Sequence, residues 1–301
     1  MLPRLTIGLI IYNGADSART CIDSLLGQTY ADFELLIHDN GSTDGTSEIC
    51  AEYAARDPRV VHVRHPQTVP QSTNFRGVLM AARTELFMWA ADDDIWGRRF
   101  AELCIAELDR NPRAVACCTK VMFRYPDGSE RPARGTFPIS GTPEQRVSTY
   151  LGNPRDSARL YGVYRTAGLQ ASYPADVNMF AYDWLVVCLS MLKGDHLEVD
   201  DFQLLRSGQG RGKYFAKYDR HFVRDKGWLG SLSYLLPLLP LTGALKQFLG
   251  PSCWRAARWR VLRLNLHQSL LLLNWKYPAT AGLFDLLKRI DQLIITKSGS
   301  Q

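Results

Sequence analysis

No two of the seven cysteines (21, 50, 104, 117, 118, 188 and 253) stand in a Cys-x-x-Cys pair, and their number is odd. That spacing argues against a zinc ribbon and a disulfide framework, and leaves buried free thiols in a reducing compartment as the reading. No Gly-x-Gly-x-x-Gly follows an apolar run, so a nicotinamide dinucleotide site loses its main support. The six histidines show no metal-ligand spacing. The apolar N-terminal run lacks a small-residue cleavage site and ends in Asn13-Gly14, so it reads as a first strand of a cytoplasmic protein, not a signal peptide. Acidic residues are scarce at the C-terminus. From Lys246 to Gln301 nine Lys or Arg face only Asp285 and Asp291, an excess larger than the net +6 of the whole chain. The basicity therefore belongs to the tail, and a nucleic-acid partner is not expected.

What is present is regular alternation. Leu5 to Ile11 is a nearly continuous apolar run, as in a strand buried on both faces. Ala18, Cys21, Ile22, Leu25 and Leu26 then fall on one helical face. Phe33–Ile37, Val60–Val63 and Glu85–Ala90 read as further strands, with helices around Ile49–Ala54 and over 71–83. Such βα units predict a mainly parallel sheet flanked by helices, but not the order of its strands. In such sheets ligands bind beyond the carboxyl ends of the strands. Tyr12-Asn13, Asp39-Asn40-Gly41-Ser42 and Asp92-Asp93-Asp94 all stand there. Three adjacent carboxylates are costly unless a cation or a set of donors compensates them. Tyr12 offers a flat face on which a base could stack. Further on, Ala114–Tyr125 reads as a strand, 126–143 as a loop or hairpin, and Tyr182–Leu192 as a helix. Arg206–Lys213 reads as a Gly-rich basic loop, with Arg206, Arg211 and Lys213 able to close on a diphosphate.

The stretch LTIGLIIYNGADSARTCIDSLLGQTYADFELLIHDNGSTDGT closely resembles the opening of glycosyltransferase family 2, and FMWAADDDIW resembles its metal-binding acidic motif. The resemblance implies an α/β fold of the GT-A type over residues 1–220, followed by a basic helical extension over 221–301. It implies an inverting transfer from a nucleoside-diphosphate sugar to a glycan or lipid-linked acceptor, assisted by Mn2+ or Mg2+. Asp39, Asn74, Asp92 and Asp93, with Tyr12 and Asn13, fall on the nucleotide-sugar side; Asp92 and Asp94 fall on the metal. Aligning Trp96 with the family's tryptophan puts Ala91 where the motif's first Asp is usual, so the motif is either shifted to Asp92-x-Asp94 or incomplete. Asp183 falls where the family carries its general base, with Tyr182 in place of a preceding acid. Tyr161–Arg165 resembles an acceptor-side segment. No Gln-x-x-Arg-Trp is present, which argues against a processive polymerase. A sugar nucleotidyltransferase and a catalytically degenerate scaffold or glycan-binding homologue stand as alternatives.

The uncharged run Gly227–Leu245 approaches the length of a membrane span but contains Pro237 and Pro240. Trp254, Trp259 and four arginines follow, then LHQSLLLLNW. That pattern predicts a segment lying on the cytoplasmic face of a membrane, with packing on the catalytic core as the alternative.

Overall fold

The computed structural model describes residues 2–208, 215–216, 218 and 234–278. Seven elements build the first half: β1 (Leu5–Ile11), α1 (Ala15–Leu26), β2 (Phe33–Asp39), α2 (Thr46–Arg56), β3 (Val60–Arg64), α3 (Gln71–Ala81) and β4 (Leu86–Ala91). β3, β2, β1 and β4 pair in that order, all parallel. β1 is buried along its whole length because neighbours flank it and helices cover both faces. Its Gly8 follows from that packing: a Cβ there would lie 2.8 Å from the Phe87 ring and 2.9 Å from Val78.

The second half completes a nine-stranded sheet. Its elements are β5 (Ile95–Trp96), α4 (Phe100–Arg110), β6 (Ala114–Arg124), β7 (Glu130–Pro132), α5 (Pro143–Gly152), β8 (Val163–Arg165), α6 (Thr166–Gln170), α7 (Tyr182–Ser190) and β9 (Asp195–Ser207). The strand order runs β3-β2-β1-β4-β8-β6-β9-β5, with β7 forming a hairpin on β6. β8 is three residues long and antiparallel to both neighbours, β4 and β6. The segment expected on the acceptor side is thus a strand in mid-sheet, where Val163 and Tyr164 are buried. Tyr161, just before it, ends a short helical turn and is buried as well. The expected basic loop is also displaced: Arg206 and Ser207 are the last residues of β9, while Arg211 and Lys213 lie outside the described residues.

At the centre of the core stands Trp89, fully buried on β4. Its indole N–H donates to the Phe75 carbonyl at 3.0 Å, and its ring meets Phe75, Phe87, Tyr164 and Tyr173 with centroids 5.0 to 6.3 Å apart. Two helices close the described chain, α8 (Leu239–Phe248) and α9 (Gly250–Lys276). Leu241 and Leu245 of α8 and Cys253, Ala257 and Val261 of α9 join the same hydrophobic core as the sheet. Arg260 donates to the Ser148 hydroxyl of α5 at 2.7 Å. The expected boundary at 220–221 lies outside the described residues. No described helix is long and apolar enough to cross a membrane; α9 is long enough but carries arginines throughout its first half.

Candidate functional site

Parallel pairing delivers the polar clusters to one edge. Ile11 pairs with Asp39 and Ile10 with Ala91, so Tyr12, Asn40 and Asp92 emerge side by side where β1, β2 and β4 end. The segment from Ser42 to Thr46 then fixes the turn after β1. The Ser42 hydroxyl accepts from Asn13 N–H at 2.9 Å, Thr46 Oγ1 from Gly14 N–H at 2.9 Å, and Asp44 from Ala15 N–H at 3.2 Å. Asn13 holds a left-handed φ of 49°, and its side-chain oxygen accepts from Thr43 N–H at 2.9 Å. Asn74 is buried on α3; its side chain meets His65 Nε2 at 3.0 Å and donates to the His38 carbonyl at 3.4 Å. Both asparagines lie at the expected edge, but their side chains are engaged in holding loops. Tyr12 is half exposed there, and its ring is accessible.

Asp39 is different. Its carboxylate is fully buried, and Oδ1 accepts from Ser42 N–H at 2.8 Å. Oδ2 has no hydrogen-bond partner; Arg64 Nε and His62 Nε2 stand 3.6 and 3.9 Å away. A buried carboxylate oxygen without a donor is unusual in a folded protein, and it calls for an N–H or O–H group. His38, beside it on β2, does no such work. It packs edge-on against His65, and burial and the His65 charge hold its pKa down at about 4.

The three aspartates after β4 have three environments. Asp93 is exposed. Asp92 leans under the β1 turn, where a Cβ on Gly14 would lie 2.1 Å from its Oδ2; a side chain at Gly14 would displace it. Burial, then the neighbouring Asp93, push the Asp92 pKa up to about 7 against a hydrogen bond from the Tyr12 backbone. Asp94 is buried and has both oxygens occupied: Arg206 Nε donates to Oδ2 at 2.8 Å and Ser207 N–H to Oδ1 at 3.0 Å. Burial raises its pKa, and the Arg206 charge offsets this in part. This contact follows from register. β5 pairs antiparallel with β9, Ile95 opposite Leu205, which sets residue 94 opposite residue 206. Nothing in the sequence signals a pairing between residues so far apart.

Asp183 lies in the first turn of α7, where the helix dipole favours a carboxylate. Burial raises its pKa, against hydrogen bonds from the Ser157 hydroxyl and the Trp184 backbone. Ser157 also accepts from the Trp184 indole at 3.0 Å, a positioning role that sequence reading missed. The buried Tyr161 lies within electrostatic reach of Arg206, Asp94, Asp93 and Asp183 together, so the acidic turn and Asp183 lie in one neighbourhood. Among the described residues, four non-glycine positions are left-handed, Asn13, Arg155, Ser157 and Ala181, with φ between 48 and 61°; Asn13 lies in the turn after β1, and Ser157 and Ala181 lie beside Asp183. Such strain costs on the order of 1–3 kcal/mol per residue and gathers at working sites.

Residues 6–167 match the sequence profile described as Glycosyl transferase family 2. The chain belongs to this family. Glycosyl transfer is therefore its general activity. Uncharacterized protein Rv1520 of Mycobacterium tuberculosis is 34% identical to this family 2 chain over 245 residues, covering 78% of it and 68% of the relative. Uncharacterized glycosyltransferase YibD of Escherichia coli is 28% identical over 121 residues, 40% of this chain and 35% of YibD. In fold, the mannosyltransferase PcManGT of Pyrobaculum calidifontis, solved with GDP-Man and Mn2+, superposes with a TM-score of 0.59 at 15% identity. That match covers 98% of this chain and 81% of PcManGT. TarS 1-349 of S. aureus, solved with UDP-GlcNAc, gives 0.56 at 15% identity over 90% of this chain and 79% of TarS. The curled, mostly parallel sheet is thus the GT-A fold expected from sequence.

Proposed function

We propose that this chain moves a sugar from a nucleoside diphosphate to a hydroxyl of a glycan or lipid-linked acceptor, with inversion. The observation that carries this reading is the bare, buried Oδ2 of Asp39 at the strand edge that also bears the acidic turn. That oxygen would accept from an N–H of the base or a ribose hydroxyl, with Tyr12 stacking on the base. Asp183 would take the proton of the acceptor hydroxyl while its oxygen attacks the anomeric carbon from the face opposite the diphosphate. The C–O bond to the diphosphate breaks in the same displacement, which inverts the anomeric centre. The nucleotide sugars held by PcManGT and TarS support a donor of this class.

For a divalent cation, Mn2+ or Mg2+, the fit is partial. Among the described residues no group of three or more His, Cys, Asp or Glu is gathered as a metal cage. Both Asp94 oxygens already accept a hydrogen bond, and its charge is already paired with Arg206. Asp92 fits: its strained ionisation is what a cation would relieve, and with exposed Asp93 it offers the one or two carboxylates that such ions take beside phosphate oxygens and water. When bound, the ion would neutralise charge on the leaving diphosphate.

Calorimetric titration with UDP, GDP and TDP, each with and without manganese, tests the donor site. One diphosphate is expected to bind, at least about ten-fold more weakly in Asp39→Ala, the order of one charged hydrogen bond. If none binds under any condition, the donor site is lost as a reading.

The outer face of the last helices supports a second contact, with the cytoplasmic face of a membrane. Leu235, Leu236 and Leu239 are exposed before and at the start of α8; Trp259, Leu262 and Leu266 are exposed on α9 beside Arg255 and Arg258. Leu236, Leu239, Trp254, Arg258 and Leu262 border a cavity of about 240 Å³ between the helices. Apolar side chains with interleaved arginines suit anionic lipid. Seven free, buried cysteines suit a reducing compartment. The full chain should sediment with phosphatidylglycerol vesicles and not with phosphatidylcholine alone, and a Trp259→Ser/Leu262→Ser/Leu266→Ser variant should stay in the supernatant. Equal sedimentation of variant and wild type would show that this face is not the contact.

A further inference from the structure

The acidic turn contains a cation of its own. Arg206 is mostly buried against it, with its guanidinium 4.1 Å above the Tyr161 ring and 5.5 Å from that of Phe123. Only Nε bonds to Asp94; among the described residues the two terminal NH2 groups have no hydrogen-bond partner. They are not among the solvent-excluded polar atoms, so they reach solvent beside Tyr161, which also lies within electrostatic reach of Asp93 and Asp183. A guanidinium clamped through Nε and stacked on an aromatic ring has lost its rotamer freedom already. Its remaining two NH2 groups form a planar fork that matches two oxygens of a phosphate. The clamp is built by the fold: β5 and β9 set residues 94 and 206 opposite each other, and Ser207 N–H holds the second carboxylate oxygen.

We propose that Asp94 serves as the anchor of Arg206 instead of as a metal ligand, and that the Arg206 fork binds the donor diphosphate. This rests on the transferase reading and goes beyond it in one respect. Part of the positive charge at the leaving group is then supplied permanently by a side chain of the protein, so nucleoside diphosphates bind without any divalent cation. A cation at Asp92 and Asp93 adds to that affinity and is not a condition for it. Asp94 acts as a positioning residue; Arg206 touches the substrate.

The test compares a nucleoside with its 5′-diphosphate by calorimetry in EDTA, using the base that the wild type accepts. Wild type is expected to prefer the diphosphate by about 10- to 100-fold, the worth of charge-assisted hydrogen bonds to one phosphate. Arg206→Ala should lose that preference while binding the bare nucleoside as before, which shows that the base site is intact. Arg206→Lys, which keeps the charge but not the fork, should recover only part of it. In manganese, Asp94→Asn should keep the metal-dependent gain in affinity. The proposal is overturned if wild type in EDTA binds the diphosphate no better than the nucleoside, or if Arg206→Ala retains the preference. It is equally overturned if Asp94→Asn abolishes the manganese gain, since Asp94 is then a metal ligand. Failure of wild type to bind any nucleoside or nucleotide, with or without manganese, removes the transferase reading itself and this inference with it.

Discussion

Asp183→Asn is expected to lower the turnover of sugar transfer by about 10²- to 10⁴-fold, the range for loss of a general base, while leaving donor affinity unchanged. Asparagine keeps an acceptor for the Trp184 N–H but cannot take up a proton at neutral pH. The two protonation states also give a pH signature. Burial raises the Asp183 pKa, so in wild type transfer should rise with pH through a limb above the ordinary carboxylate range. Stability moves the other way. An acid whose pKa is raised by folding binds its proton more tightly when folded, so its charged form costs stability above the unfolded carboxylate pKa. Asparagine removes that cost, and the thermal midpoint of Asp183→Asn at neutral pH should not fall. A variant that is inactive and also markedly less stable would mark Asp183 as a structural helix cap instead.

Trp89→Ala is expected to have the largest effect on stability. The side chain is fully buried, lies against four aromatic rings and donates to a main-chain carbonyl. Truncation of a buried tryptophan costs about 3–5 kcal/mol through lost transfer energy and the cavity left behind. It also leaves the Phe75 carbonyl without that donor. Typical domain stabilities are roughly 5–15 kcal/mol. The midpoint of thermal unfolding should therefore fall by on the order of 10 °C, with loss of near-ultraviolet circular dichroism at the same temperature. Trp89→Phe should recover most of the packing but not the hydrogen bond. If the alanine variant unfolds within a degree or two of wild type, Trp89 is not the centre of the core.

The parallel half was legible because β1 and β4 are almost wholly apolar, β2 and β3 carry shorter apolar runs, and each helix keeps one apolar face. Those are local patterns, and the polar cluster at each strand end could be assigned to the sheet edge from chain direction alone. The second half was less so. β8 has three residues, too few for any periodicity, and it enters mid-sheet between partners far away in sequence. At the site, residue type was visible but bonding was not. Asp39 and Asn13 both stand at strand ends, yet one keeps an oxygen without a hydrogen bond and the other spends its side chain on Thr43. The Asp94–Arg206 pair depends on a two-residue strand, β5, that no pattern marks. The glycine after Asn13 gave no hint that Asp92 fills the space where its side chain would be.

The short β8 strand is also a joint. Leu86 and Phe87 pair with it on one side, Ala116 and Cys117 on the other. Tyr12, Asp39 and Asp92 all hang from strands on the first side, whereas Ser157 and Asp183 flank β8 in the later chain. The two stretches of sequence thus meet at β8 across two residue pairs, and a second time where β5 lies on β9 and Asp94 meets Arg206. Under the proposed roles, a chimaera that exchanges the later stretch for a relative's would keep Tyr12, Asp39 and Asp92 but would have to carry Arg206 over, because the hold on the diphosphate sits in the stretch being exchanged.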